Sequence, residues 1–183
     1  MAQTLTRLLL HVVFSTKHRE PTIVPAVEIP LHKYLAGIAR NLESPAIAVG
    51  GVADHVHLLI SLSKNLAVSE LLQNLKRDSS KWIKTIPNAA PHFAWQEGYG
   101  AFTIGESQVG ALTRYIQTQA EHHRARSFQE EFRAILSKYR VPFDEKYIWA
   151  LSVDAAGRPL RIDKGFSWEH PLSAHGLMHN VIT

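Results

Sequence analysis

The sequence predicts an α+β fold: a ferredoxin-like split βαβ with a four-stranded antiparallel sheet, helices on one face and a further helix C-terminal to it. Three observations predict it. Apolar runs of strand length and apolar stripes at helical spacing follow one another in the order β-α-β-β-α-β between residues 7 and 104. Two of the runs are separated only by Ala53 and Asp54, as in a hairpin. The chain's 183 residues, 45% hydrophobic, suffice for one ordinary domain with a sizeable core and a terminal appendage.

The elements follow in order. Arg7 to Thr16, rich in Leu, Val and Phe, reads as a buried strand. Pro21 and Pro25 mark a loop, after which Val27, Leu31, Leu35, Ile38 and Leu42 recur at helical spacing. Ala46 to Val52 and His55 to Leu62 are the strands of the hairpin. A second helix spans about Val68 to Lys84, with Val68, Leu71, Leu72, Leu75, Trp82 and Ile83 on its apolar side, and Pro87 ends it. Phe93 to Ile104 reads as a loop entering a fourth strand. A third helix covers about Ser107 to His123 with Ser107 as N-cap, and a fourth covers Phe128 to Tyr139 behind Ser127, with two Glu in its first turns. From Val141 onward Pro and Gly interrupt any period, leaving an irregular tail with a short hairpin around Ala156 and Gly157.

Composition removes several classes of function. The chain has no cysteine, which excludes disulfides, zinc–thiolate sites and iron–sulfur clusters and fits a reducing cytoplasm. Leu8 to Phe14 is too short for a signal peptide and has no cleavage site, and nothing approaches a transmembrane span, so no membrane partner is expected. No Walker-type phosphate loop is present, so no nucleotide cofactor is expected either. A formal charge of +4 permits a polyanionic partner without demanding one.

The chemistry-bearing pattern is Asp54-His55-Val56-His57-Leu58-Leu59-Ile60. Alternate residues of a strand share a face, so Val56, Leu58 and Ile60 enter the helix-covered core while His55 and His57 stand side by side on the open face. Two imidazoles presented in this way chelate a divalent cation, although two exposed strand histidines are the plainer reading. On the third helix Val109, Leu112 and Ile116 form the core stripe, and Tyr115 and Gln119, one turn apart, flank it. Beside the histidines they supply a nucleophile and a third ligand; from the helix alone, a half-buried core aromatic and a solvated surface amide are the plainer reading. Asp54 fixes the turn or orients a ligand histidine. Lys76, Arg77, Lys81 and Lys84 give the second helix a positive stripe suited to phosphates, and Trp82, Trp95 and Tyr99 offer rings for bases. A solvated helix face and core aromatics are the alternatives. His11 reads as a satisfied sheet residue.

Five blocks then occur in order: HVVFSTKHREP at 11–21, DHVHLLISL at 54–62, LLQNLKRDSSKWI at 71–83, FAWQEGYGAF at 93–102 and YIQTQAEHHRARSFQEEFRAIL at 115–136. With them the chain resembles the single-tyrosine HUH transposases, the insertion-sequence 200-like group and its repeat-associated relatives, over about Leu8 to Trp149. Ala53 departs from the Pro that relatives commonly carry there, which touches only the turn. The resemblance implies a catalytic domain over residues 1–140, an extension of unknown role over 141–183, and metal-dependent cleavage and rejoining of single-stranded DNA. It makes His55 and His57 the metal ligands, Gln119 the third ligand, Tyr115 the nucleophile and its helix the catalytic helix. The product would be a 5′-phosphotyrosine with a free 3′-hydroxyl. Two neutral imidazoles and an amide suit an exchangeable octahedral ion, Mg²⁺ or Mn²⁺. Hairpin-forming element ends, a homodimer and a bacterial, nucleoid-associated cytoplasmic location are likewise implied. The alternative is a non-cleaving, domesticated single-stranded nucleic-acid-binding protein on the same fold. An RNA-recognition sheet fits less well, because it needs exposed aromatics where this sequence has histidines.

Overall fold

A computed structural model of the chain describes residues 4–87, 89–123 and 127–144. The tail hairpin around Ala156 and Gly157, and residues 145–183 of the extension, lie outside the described residues. β1 (Leu8–Ser15), α1 (Pro25–Asn41), β2 (Ala46–Val52), β3 (His55–Leu62), α2 (Val68–Ile83) and β4 (Gly100–Thr103) follow in that order. The strands lie β2-β3-β1-β4, and each neighbouring pair is antiparallel. This is the α+β fold and the four-stranded antiparallel sheet that the sequence predicts.

Register explains which residues meet. Val13 lies opposite His57 and Phe14 opposite Val56, so the alternation of β1 and β3 is in phase. One face collects Leu10, Val12, Phe14, Val56, Leu58 and Ile60. Against it pack Val27, Leu31, Leu35 and Ala39 of α1 and Leu71, Leu72, Leu75 and Ile83 of α2. Each fully buried aliphatic side chain there contributes about 1.5–3 kcal/mol. Both α1 and α5 (Phe128–Lys138) end by turning through a left-handed residue, Glu43 at φ 51° and Arg140 at φ 53°. The following amides of Ser44 and Val141 then bond back to Ala39 and Leu136.

The opposite face is where the structure departs from the open surface that the sequence suggests. Leu9, Val13 and Leu59 point there, and leaving them wet would forfeit their burial. α3 (Val109–Gln117) covers Leu9 and Leu59 with Ile116, while Phe128, Ile135 and Leu136 of α5 cover Val13. The predicted 107–123 helix is also not continuous. A 3-10 turn at Glu106–Gln108 precedes it, so Gln108 rather than Ser107 stands at the cap of α3. It breaks at Thr118 (φ −106°, ψ 21°), and α4 (Gln119–His122) follows. The Thr118 hydroxyl donates to the Arg114 carbonyl at 2.9 Å, a local bond that competes with the helical ladder.

A glycine decides how closely α3 approaches. Gly50 of the edge strand β2 lies opposite His57, on the same face. A Cβ on it would stand 2.1 Å from the Ile116 carbonyl oxygen, so the helix rests on bare backbone there. Among the described residues, no helix is long and apolar enough to cross a membrane.

Candidate metal and nucleophile site

His55 and His57 occupy alternate positions of β3 and have no exposed surface, because α3, α4 and α5 close over them. Each ring is held through its Nδ1. Asp54 Oδ1 lies 2.7 Å from His55 Nδ1, and His11 Nε2 lies 3.0 Å from His57 Nδ1. The outward nitrogens, His55 Nε2 and His57 Nε2, are buried and have no hydrogen-bond partner.

Glu131 faces them from α5. Ser127 caps that helix by accepting from the Glu130 amide, while Glu130 reaches back to the Ser127 amide. This box fixes the helix start, and Glu131 then falls between Phe128 and Ile135 on the buried side. Glu131 Oε2 is 3.5 Å from His55 Nε2, and Oε1 is 3.4 Å from His57 Nε2. His123 Nε2 approaches Oε2 at 3.0 Å.

Tyr115 and Gln119 complete the cluster from the third-helix region. The Tyr115 ring lies edge-on to His57 with centroids 5.9 Å apart, and its hydroxyl donates to Glu131 Oε1. Gln119 is 1% exposed; its Nε2 donates to Glu131 Oε1 at 3.2 Å, and its Oε1 is buried without a partner. Beside Tyr115 and Glu131 a cavity of about 360 Å³ reaches Leu112, Ile135, Lys138 and Tyr139.

Electrostatics follow from this closure. Burial pushes the His57 imidazole below its ordinary value and takes His11 down to about 3. Burial also opposes ionisation of Glu131, but His57, the Tyr115 hydroxyl and His55 together hold its carboxyl below the usual range. Two imidazole nitrogens without hydrogen-bond partners therefore face a carboxylate, to which the Gln119 amide nitrogen also donates. His55, His57 and Glu131 offer ligand atoms within 4.8 Å of one another, so a buried divalent cation fits this donor set.

The remaining sequence candidates separate. Asp54 sits on His55 as a positioning contact. The Lys76 ammonium donates to the carbonyls of Gln96, Glu97 and Gly98 at 2.8, 3.1 and 2.6 Å, which ties α2 to the loop before β4. Arg77 is exposed and paired with Asp78 at 2.7 Å, while Lys81 and Lys84 are exposed. Trp95 is core, with its indole N–H on Ser79, and Trp82 stacks on Tyr34; Tyr99 is exposed. Sequence reasoning missed Glu131, reading it as a first-turn acid suited to the helix dipole. A signal was present: Phe128, Glu131 and Ile135 share one helical face, so a carboxylate interrupts an apolar stripe. His11, read from the sequence as a satisfied sheet residue, and His123 also lie against the site, on His57 and Glu131.

Comparison with known proteins bears on this geometry. A family model described as "Transposase IS200 like" matches residues 4–119. The ISDra2 transposase TnpA of Deinococcus radiodurans is 25% identical over 114 residues, 60% of this chain and 81% of that protein. A stretch of 33 residues, 18% of this chain, is 73% identical to a sulfite dehydrogenase of Allochromatium vinosum. It spans only 3% of that protein. Among solved structures, a proposed transposase from Deinococcus radiodurans R1 superposes with a TM-score of 0.50 at 23% identity, covering 65% of this chain and 95% of that one. That likeness is one of fold. The REP-associated tyrosine transposase bound to a REP hairpin gives 0.49 at 12% identity, over 67% of this chain and 74% of its own.

Proposed function

The chain belongs to the IS200-like transposase family, and on that premise we propose that it cleaves and rejoins single-stranded DNA with Tyr115 as nucleophile and a metal centre of His55, His57, Gln119 and Glu131. One observation carries the reading. A tyrosine hydroxyl, two unpartnered imidazole nitrogens and a carboxylate meet in a buried site, with the Gln119 amide bonded to the same carboxylate. On this reading Tyr115 acts beside the histidines of its own chain, and a second copy in a homodimer would bring a second site.

A tyrosine hydroxyl has an ordinary pKa near 10 and needs help to attack at neutral pH. Tyr115 Oη bonds to phosphorus as the P–O3′ bond breaks, which leaves a 5′-phosphotyrosine and a 3′-oxygen. The Tyr115 hydroxyl, oriented by its hydrogen bond to Glu131 Oε1, loses its proton to water as the O–P bond forms, and the departing 3′-oxygen takes up a proton from water to become the free 3′-hydroxyl. Mg²⁺ or Mn²⁺ held by the four ligands supplies Lewis-acid polarisation of the scissile phosphate. Asp54 holds the His55 ring in place. Because the phosphodiester energy stays in the Tyr–O–P bond, another 3′-hydroxyl reverses the step and joins a new strand.

The DNA is single-stranded and hairpin-forming, as the resemblance implies, and it approaches Tyr115 through the neighbouring cavity. Arg77, Lys81 and Lys84 on the exposed side of α2 contact phosphates. Lys76 acts on DNA indirectly, by shaping the loop that its ammonium holds. The catalytic domain on this reading is residues 1–140, with 141–183 as an extension to it.

Labelled single strands from the flanks of the chain's own gene, incubated with Mg²⁺ or Mn²⁺, test this. A metal-dependent protein–DNA adduct that disappears in Tyr115→Phe is the expected result. DNA that binds but is never cut with either metal would instead establish the non-cleaving binder.

A further inference from the structure

We infer that His11 is a positioning residue that fixes His57 as its Nδ1–H tautomer and so leaves the His57 Nε2 lone pair for a divalent cation. The inference rests on reading the site as a metal centre, and it comes from what lies behind the ligands.

The two histidine ligands are supported differently. His55 Nδ1 faces a carboxylate, Asp54 Oδ1, at 2.7 Å. An ionised carboxylate only accepts, so that contact by itself places the proton on His55 Nδ1 and frees Nε2. His57 has no carboxylate behind it. Its Nδ1 meets a second imidazole, His11 Nε2, at 3.0 Å. The sheet register imposes this pairing. His11 lies opposite Leu59 and Val13 opposite His57, so His11 and His57 are diagonal neighbours on one face of adjacent strands. Both are buried, at 3% and 0% exposure, so water does not substitute for either partner.

Two ring nitrogens at that distance share one proton. If it sits on His11 Nε2, His57 must carry its own proton on Nε2, aimed at Glu131, and no lone pair faces the centre. If it sits on His57 Nδ1, Nε2 is a ligand. His57 Nε2 stands 3.4 Å from Glu131 Oε1 without the geometry of a hydrogen bond, so the contact at Nδ1, 3.0 Å from His11, is the closer of the two. A histidine in the first strand thus acts at a distance from the chemistry, through the tautomer of a ligand.

The test uses the full chain, metal-free and labelled with ¹⁵N-histidine. Long-range proton–nitrogen spectra should show His57 protonated at Nδ1. His11→Phe keeps the ring and removes the acceptor, whereas His11→Gln restores an acceptor oxygen. The Mn²⁺ dissociation constant, followed by electron paramagnetic resonance, should weaken about 10- to 100-fold in His11→Phe and stay within about threefold in His11→Gln. The His57 nitrogen pattern should change in the first variant only. A wild-type His57 protonated at Nε2 overturns the inference, as does a His11→Phe that keeps both tautomer and affinity. Should His11→Phe not fold, the wild-type spectrum and His11→Gln decide, and a His11→Gln that loses Mn²⁺ overturns it. Wild-type protein that binds no Mn²⁺ sinks the metal reading itself. Unchanged Mn²⁺ binding in His11→Phe sinks only the role of His11.

Discussion

Gly50→Ala places one methyl group where the structure has no room for it. The added Cβ would sit 2.1 Å from the Ile116 carbonyl oxygen and 3.0 Å from its carbon, and the clash is with backbone, so no rotamer change relieves it. α3 must therefore retreat by at least about 1.3 Å, from 2.1 Å to the 3.4 Å of ordinary contact. Ile116 follows Tyr115 directly, so the proposed nucleophile moves with it while His55 and His57 stay on β3. Overpacking of this kind costs about 1–3 kcal/mol of stability. A displacement near 1 Å at a reacting group costs about 100-fold in rate. Urea melts, Mn²⁺ titration and the rate of DNA adduct formation measure the three effects on one preparation. The expected pattern is a modest loss of stability, a small loss of Mn²⁺ affinity and a loss of cleavage near two orders of magnitude. Wild-type stability and cleavage in Gly50→Ala would refute the packing of α3 on β2. Loss of Mn²⁺ binding in proportion to cleavage would show that the sheet, not the helix, gives way.

Three further outcomes follow from the same contacts. Glu131→Gln keeps the volume but removes the charge, and by calorimetry its Mn²⁺ affinity should fall at least about tenfold; unchanged affinity would remove Glu131 from the ligand set. Lys76→Met deletes three bonds to the loop carbonyls and should cost about 2 kcal/mol in urea melts. It should leave the salt dependence of DNA binding intact, whereas Lys81→Ala should lower that slope by about one; the reverse pattern would make Lys76 a phosphate contact. Without metal, stability should fall with acidity by on the order of 1.4 kcal/mol per pH unit for His11. The sign follows from a folded value depressed to about 3 against 6.5 in the unfolded chain. Stability is then complete above 6.5, falls as the unfolded chain alone takes up the proton, and levels off below about 3. Glu131, also depressed, contributes only below its ordinary 4.5, so melts between pH 7 and 5 isolate the histidines. A flat profile across that window would contradict the burial of His11 and His57.

What could be read in advance was local. The alternation of His55 and His57 with Val56 and Leu58 placed the imidazoles on the face away from α1 and α2, and the strand register agrees with that side. Tyr115 and Gln119 stand on different helices, α3 and α4, because of the break at Thr118, yet both side chains bond to Glu131. What could not be read was what closes over that face. Leu9, Val13 and Leu59 signal only that something apolar covers them, and the cover comes from α3 and from a helix far downstream of β3. The place of Glu131 in the apolar stripe of α5 marks it as buried, but only long-range packing brings it to the histidines. Lys76 shows the same limit. Its place on a basic stripe suggested phosphate, but the backbone carbonyls it binds belong to a loop whose path the sequence does not encode locally.

The most direct test of the account is to trap the covalent DNA adduct, digest it and map the modified residue by mass spectrometry. The expected product is a nucleotide 5′-phosphate on Tyr115 and on no other residue, formed only with Mg²⁺ or Mn²⁺. Cleavage without any adduct, or an adduct on a different side chain, would contradict it.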